Sequence, residues 1–168
     1  MPIVRSPEQK KTNAARVLDG LGIAYALRAY DVDEDDLSAE TVAKKIGLPE
    51  EQVWKTLCLR ADDKSVVFAL VSADRELDFK ACARVAGKKS LEPVAVKELL
   101  GLTGYIRGGV TAMAGKKDYP TFVDETIELF DQVSVSAGVR GTQIVLAPAD
   151  YLRAVKGKTG PIARAKTA

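Results

Sequence analysis

A chain of 168 residues, 46% hydrophobic and 29% charged, has the composition of one ordinary globular domain, long enough to bury roughly 70% of its unfolded surface without a disulfide or metal staple. It contains no histidine, which excludes Ser-His and Cys-His nucleophile pairs, histidine acid–base chemistry and the commonest zinc sites. The net charge is +2, but residues 1–84 carry 13 basic and 15 acidic groups against 12 and 8 in residues 85–168, so the second half is the cationic one.

Ala14, Val17, Leu18 and Leu21 share one helical face, and Gly20 and Gly22 supply a stop, so the spacing predicts an amphipathic helix over 7–20. Tyr25, Leu27 and Ala29 then alternate with their neighbours as in a half-buried strand that runs into an acidic loop at 31–36. Ser38 ahead of Thr41, Val42 and Ile46, with Gly47 and Pro49 beyond, predicts a short capped helix. Two β-rich runs, 56–61 and 65–72, flank the turn Asp62-Asp63-Lys64 and predict a hairpin. Helical patterns return at 74–86 and, after Pro93, at 94–99.

From Thr103 the pattern is strands and glycine turns, at 105–106, 121–123, 132–135 and 143–146, before a last helix over 148–155. Helices and strands mix without strict alternation, which predicts an α+β fold around one mixed, strongly curved sheet. Residues 1–168 read as a single domain with 1–6 and 157–168 as flexible ends. The longest apolar run is 66–71, and the first residues lack a secretory pattern. Cys58 and Cys82 lie far apart in apolar settings, without redox or metal spacing. The expectation is a cytoplasmic protein with buried thiols and no membrane contact.

Chemistry must therefore come from Lys, Arg, Tyr, hydroxyls, carboxylates, backbone N–H groups or the substrate itself. Lys55 enters the first hairpin strand between apolar neighbours, a setting that suits either an exposed lysine or one turned inward. Glycine loops at 104–111, 114–117 and 136–141 match no dinucleotide or P-loop spacing; they serve equally as turns or as anion-binding backbone. Lys88, Lys89, Arg107, Lys116, Lys117, Arg140 and the acid-free tail from Arg153 are either a solvated face or phosphate contacts. Tyr30 and Tyr105 sit at strand ends, as a core rim or a ligand contact.

Taken in order, the strings VWKTL, LDFKACARVAGKKS, TGYIRGGVTAMAGKKDYPTFVD and VSAGVRGTQIVLAPADYL resemble the YbaK/ProX family of aminoacyl-tRNA deacylases, free-standing relatives of the prolyl-tRNA synthetase editing domain. The resemblance spans roughly Ala14 to Val155 and is nearest to the Cys-tRNA(Pro) deacylases. It implies a YbaK-type fold, a curved mixed sheet with flanking helices, and trans-editing of mischarged tRNA. Cleavage of the aminoacyl ester is then assisted by the substrate's own thiol, with no cofactor and no metal. By that likeness the catalytic groups are Lys55, Gly108 and Gly109, the glycine N–H groups holding the oxyanion. The substrate-binding groups are Tyr30, Thr56, Tyr105, Thr111, Ser136, Gly138, Arg140 and Gln143. The implied partners are aminoacyl-tRNA, tRNA(Pro) in particular, and a prolyl-tRNA synthetase, with no DNA.

Two departures accompany the match. Where the family loop commonly continues Gly-Gly-x-Ser-Pro-x-Gly, this chain has Gly109-Val110-Thr111-Ala112-Met113-Ala114, without the proline and the last glycine. Gln143 stands where the cysteine-specific relatives carry an aspartate. A neutral amide in place of a carboxylate changes pocket charge and hydrogen bonding, so Ala, Ser or Thr are alternative charges. A non-catalytic module that binds aminoacyl-tRNA or a synthetase is the competing reading.

Overall fold

The computed structural model describes residues 11–167. Five short helices begin where local chemistry starts them: α1 Asn13–Gly20, α2 Ala39–Ile46, α3 Phe79–Ala86, α4 Val96–Thr103 and α5 Pro148–Val155. The side chains of Thr12, Ser38 and Asp78 accept the N–H groups of Ala15, Thr41 and Ala81, which satisfies a donor that each helix start leaves unpaired. Gly47 ends α2 at φ 75°, a left-handed conformation that costs glycine nothing.

Ten strands complete the fold: β1 Ala26–Ala29, β2 Trp54–Ala61, β3 Val66–Ser72, β4 Arg75–Leu77, β5 Leu91–Pro93, β6 Thr121–Asp124, β7 Val133–Ser136, β8 Thr142–Leu146, β9 Lys158–Gly160 and β10 Ala163–Ala165. A five-stranded sheet runs β5-β2-β3-β6-β9, with β6 parallel to both of its neighbours; an antiparallel sheet runs β1-β8-β7; and β10 pairs antiparallel with β4. The mixed sheet thus divides into parts, and a single parallel bridge between Val53 and Ser134 links the five-stranded part to the three-stranded one.

The centre is β3, all seven of whose residues are buried, as expected for an apolar run covered on both faces. On one side Trp54, Leu70 and Val123 pack with α1, α5 and the inner residues of β7 and β8, including Leu18, Ile144 and Tyr151. On the other, Leu59, Val67 and Phe122 pack with Leu77, Cys82 and Ile162. Cys58 and Cys82 are both buried free thiols. Among the described residues no helix is long and apolar enough to cross a membrane.

Five expectations change. The helix placed over 94–99 runs Val96–Thr103 instead, because Pro93 belongs to β5 and the Val94 N–H is held by the Cys58 carbonyl. The helix placed over 74–86 starts only at Phe79, because Arg75–Leu77 pairs with the distant β10 and Asp78 supplies the cap. The strand placed at 105–106 has no ladder partner and leads into a turn at 107–108, closed by the Gly109 N–H on the Ile106 carbonyl. The last segment, read as a flexible end from 157, carries β9 and β10. The first helix starts at Asn13, whereas 7–10 and the end at 1–6 lie outside the described residues.

The tail is fastened by one buried carboxylate. Asp124, 2% exposed, accepts the N–H groups of Ile162 and Ala163 at 3.1 and 3.0 Å through Oδ1, and the N–H and hydroxyl of Thr126 at 3.2 and 2.5 Å through Oδ2. Replacing it with alanine leaves the N–H groups of Thr126 and Ala163 without their acceptor, at about 1–3 kcal/mol each, and Ile162 with the Gly160 carbonyl alone. Asp124→Ala is expected to lower the melting temperature by roughly 6–12 °C and to speed amide exchange at Ile162 and Ala163. A melt within 2 °C of wild type, about the smallest shift expected per kcal/mol at this size, would contradict that role.

Candidate active site

The site grows out of an uncovered strand edge. The Ala61 N–H bonds the Ser65 carbonyl and the Ala73 N–H bonds the Val53 carbonyl, so odd-numbered residues of β2 exchange backbone bonds with β3. Even-numbered residues then turn their backbone groups to the opposite edge. There β5 covers only Leu59–Ala61, and the Val94 N–H takes the Cys58 carbonyl at 3.0 Å. The backbone N–H and C=O of Thr56 are left facing a cavity of about 590 Å³ that wraps this edge.

Lys55 lines that cavity, half-buried, and burial pulls its ammonium pKa below the usual lysine value against the attraction of Glu40, Glu76 and Asp74. Tyr30 lines it from the end of β1, placed by its N–H on the Gly141 carbonyl. Gly108, Ser136 and Gln143 supply polar lining, together with Ser38 and Arg107. An apolar part of the wall is made by Leu57, Leu59, Phe79, Pro93, Val94, Val96 and Leu99. Lys55 and Arg107 are the cations of the described wall, which holds no carboxylate. Among the described residues no group of three or more Cys, Asp or Glu is placed to hold a metal ion.

Cys58 also lines the cavity, but burial pushes its thiol up to about 11, so it is almost wholly protonated at neutral pH and a poor nucleophile. Gln143 accepts from the Ser134 hydroxyl at 2.7 Å through Oε1. That bond fixes the amide orientation and leaves Nε2, a donor, as the free end of the side chain.

Several residues expected at the site stand behind it instead. Gly109 is buried and spends its N–H on the Ile106 carbonyl at 2.9 Å, so it has no donor left for an oxyanion. Its missing side chain matters for packing: a Cβ would lie 3.3 Å from the Val139 backbone. Tyr105 gives its hydroxyl to the Met113 carbonyl at 2.6 Å, and burial raises its pKa. Thr111 is fully buried and its hydroxyl accepts the Met113 N–H. Gly138, at φ 94°, lies where a Cβ would come within 3.0 Å of the Tyr105 ring. Arg140 donates from Nε to the Arg107 carbonyl at 2.8 Å.

These five residues lock the 105–113 loop onto the 136–140 loop and so hold Gly108 and Arg107 at the cavity. Thr56 is split between roles: its backbone faces the cavity, whereas its hydroxyl is buried near that of Tyr151, both outside hydrogen-bond geometry. The sequence marks Ser38 as a helix cap and Arg107 as part of a cationic half, with no local signal that either lines a cavity; the apolar lining comes from separate elements and carries no local signal.

An aminoacyl-tRNA editing domain model matches residues 33–154. A protein of Enterococcus faecalis that carries the assigned name Cys-tRNA(Pro)/Cys-tRNA(Cys) deacylase EbsC is 36% identical over 95% of this chain and 98% of its own. A crystal structure described as a trans-editing enzyme for prolyl tRNA synthetase superposes with a TM-score of 0.78 at 21% identity, over 96% of this chain and 99% of that one. A scaffold protein used for epitope grafting gives 0.79 at 21% identity, over 96% and 100%. These two solved structures share the fold. The chain is thus an aminoacyl-tRNA deacylase with the fold of an editing domain. The chain belongs to the aminoacyl-tRNA editing domain family.

The altered loop carries a measurable strain. Ala114, at the position of the family's last loop glycine, has φ 55°, a conformation that costs an L-residue roughly 1–2 kcal/mol. Ala114→Gly relieves that strain and gives back roughly 0.4–1 kcal/mol through the freer unfolded chain. The expected outcome is a rise in melting temperature of about 1–3 °C; a fall would show that the Ala114 methyl contributes packing that outweighs the backbone.

Proposed function

We propose that this chain removes cysteine from mischarged tRNA(Pro) by substrate-assisted cleavage of the aminoacyl ester. The observation that carries the proposal is the cavity's lack of an activated nucleophile: its thiol is held protonated, no carboxylate stands in its described wall to activate the Ser38 or Ser136 hydroxyl, and Lys55 stands half-buried beside a free strand edge. A site of this kind can orient an ester and stabilise charge, while the attacking atom belongs to the substrate.

In this reading the terminal nucleoside lies across the apolar part of the wall and the ester reaches the polar lining. The substrate's thiol gives its proton to water and, as thiolate, attacks its own carbonyl carbon, forming a C–S bond. The C–O bond to the ribose then breaks, and the ribose oxygen takes a proton back from water, so that none is gained or lost overall. The Gly108 N–H receives the developing oxyanion, and the Thr56 backbone holds the amino-acid end. Lys55 supplies positive charge to the carbonyl or to the terminal phosphate. Holding thiol and carbonyl together removes part of the barrier through proximity. The thiolactone so released hydrolyses to free cysteine.

A second reading follows from Gln143. Its free amide end is a donor, and a hydroxyl accepts hydrogen bonds better than a thiol, which favours Ser or Thr as the charge. The cationic wall suits the tRNA end in either case, and a prolyl-tRNA synthetase that delivers the charged tRNA is the partner this reading adds.

The test is deacylation of tRNA(Pro) charged separately with Cys, Ala, Ser, Thr and Pro at substoichiometric protein. Catalytic release is expected for Cys. In Lys55→Ala that release should fall by roughly 10²–10³-fold, the scale for losing one charge-stabilising group. Faster release of Ser or Thr would establish the second reading. Binding without turnover on every charge, or full activity in Lys55→Ala, would overturn the proposal.

A further inference from the structure

Beyond residue 154, where the family match ends, the chain makes a strap that returns to the cavity mouth. After α5, β9 pairs with β6, the turn at Ile162 is held by Asp124, and β10 pairs with β4. One residue past β10, Lys166 reaches the first turn of α2 and meets Glu40, Nζ to Oε1 at 2.5 Å. Glu40 adjoins Ala39 and Ser38, both on the cavity wall. The charges of Glu40 and Lys166 both act on Lys55, so two lysines and one carboxylate share the mouth.

The strap does not need the Lys166–Glu40 pair to stay down. Asp124 binds its turn, β10 is paired along its length, and Arg164 bonds Glu76 at 2.9 Å. An ion pair whose two side chains remain 39% and 34% exposed adds little further stability. What Lys166 does add is charge: it is the cation that offsets Glu40 beside Lys55, as Arg164 offsets Glu76. Glu76 and Asp74 are the other carboxylates whose charges reach Lys55.

We propose that Lys166 is a second cation of the substrate site, contacting a backbone phosphodiester next to the 3′-terminal nucleotide of the tRNA, with Glu40 holding the ammonium in place until the phosphate takes it. The inference rests on the reading of the cavity as the aminoacyl-tRNA site. It adds a contact from a segment outside the matched family domain.

The test compares wild type, Lys166→Gln and Lys166→Arg on two substrates, cysteinyl-tRNA(Pro) and the cysteinyl ester of adenosine, which lacks a phosphodiester. For Lys166→Gln the ratio of kcat/KM between charged tRNA and nucleoside ester should fall about fivefold to tenfold, with the loss in KM. The slope of log KM against log salt should shrink by about 0.7, the value for one single-strand phosphate contact. Lys166→Arg should restore both. An unchanged ratio and slope, or an equal loss on both substrates, would overturn the inference. A wild type that cleaves the nucleoside ester but shows no dependence of its tRNA rate on Lys166 overturns the inference alone. A wild type inactive on both substrates overturns the reading of the cavity, and the inference with it.

Discussion

Asp124 ends β6 with its carboxylate sealed from solvent, and four hydrogen bonds converge on it. One oxygen starts the 3-10 turn at Glu125–Leu129; the other takes two N–H groups from the chain near its C-terminal end. A buried carboxylate is tolerable only when its lone pairs are filled in this way. Because both bonds to the tail go to backbone, the side chains at 162 and 163 are free to pack or to point outward, and Ile162 is buried against β3 and α3. The consequence reaches the active site. With the tail fixed, β10 covers β4, β4 hands the chain to the Asp78 cap of α3, and Phe79 at the start of that helix becomes part of the cavity wall.

The cavity itself follows from unequal strand lengths. β5 and Val94 cover one edge of β2 only from Cys58 to Ala61, and β7 meets it only at the Val53–Ser134 bridge, so the stretch around Thr56 has no strand partner. An open edge inside a protein is a set of unsatisfied backbone groups, a liability unless something is meant to bind there. Here it is flanked by Lys55, whose pKa burial lowers, and by a glycine turn, and it opens onto an apolar chamber far larger than a cysteine side chain requires. Under the proposed function, the rest of the volume and the apolar lining are where the flat, weakly polar face of a terminal base would lie.

Local signals in the sequence were enough to mark α2, α5 and the β2–β3 hairpin, because Ser38, Gly47, Pro148 and the Asp62-Asp63-Lys64 turn act within a few residues of themselves. β4, β5, β9 and β10 were not legible. Each is three residues long and exists only through a partner elsewhere in the chain, as with Arg75 opposite Ala165. The site divides along the same line. Lys55, Tyr30, Gly108, Ser136 and Gln143 line one cavity, whereas Tyr105, Gly109, Thr111, Gly138 and Arg140 support it from behind. A motif records both kinds of residue in the same letters, because a glycine that touches a ligand and a glycine that touches a neighbouring loop are equally intolerant of a side chain.

The central claim is that the aminoacyl ester occupies the edge of β2 opposite the Gly108 turn. The most direct measurement is the change in backbone amide resonances when a non-hydrolysable amide analogue of cysteinyl-adenosine is added to the wild-type protein. Saturable shifts at Thr56 and Gly108, with Gly109 little moved because its N–H stays on the Ile106 carbonyl, are the expected result. Shifts confined to another face of the protein, or a Gly109 response without one at Gly108, would contradict it.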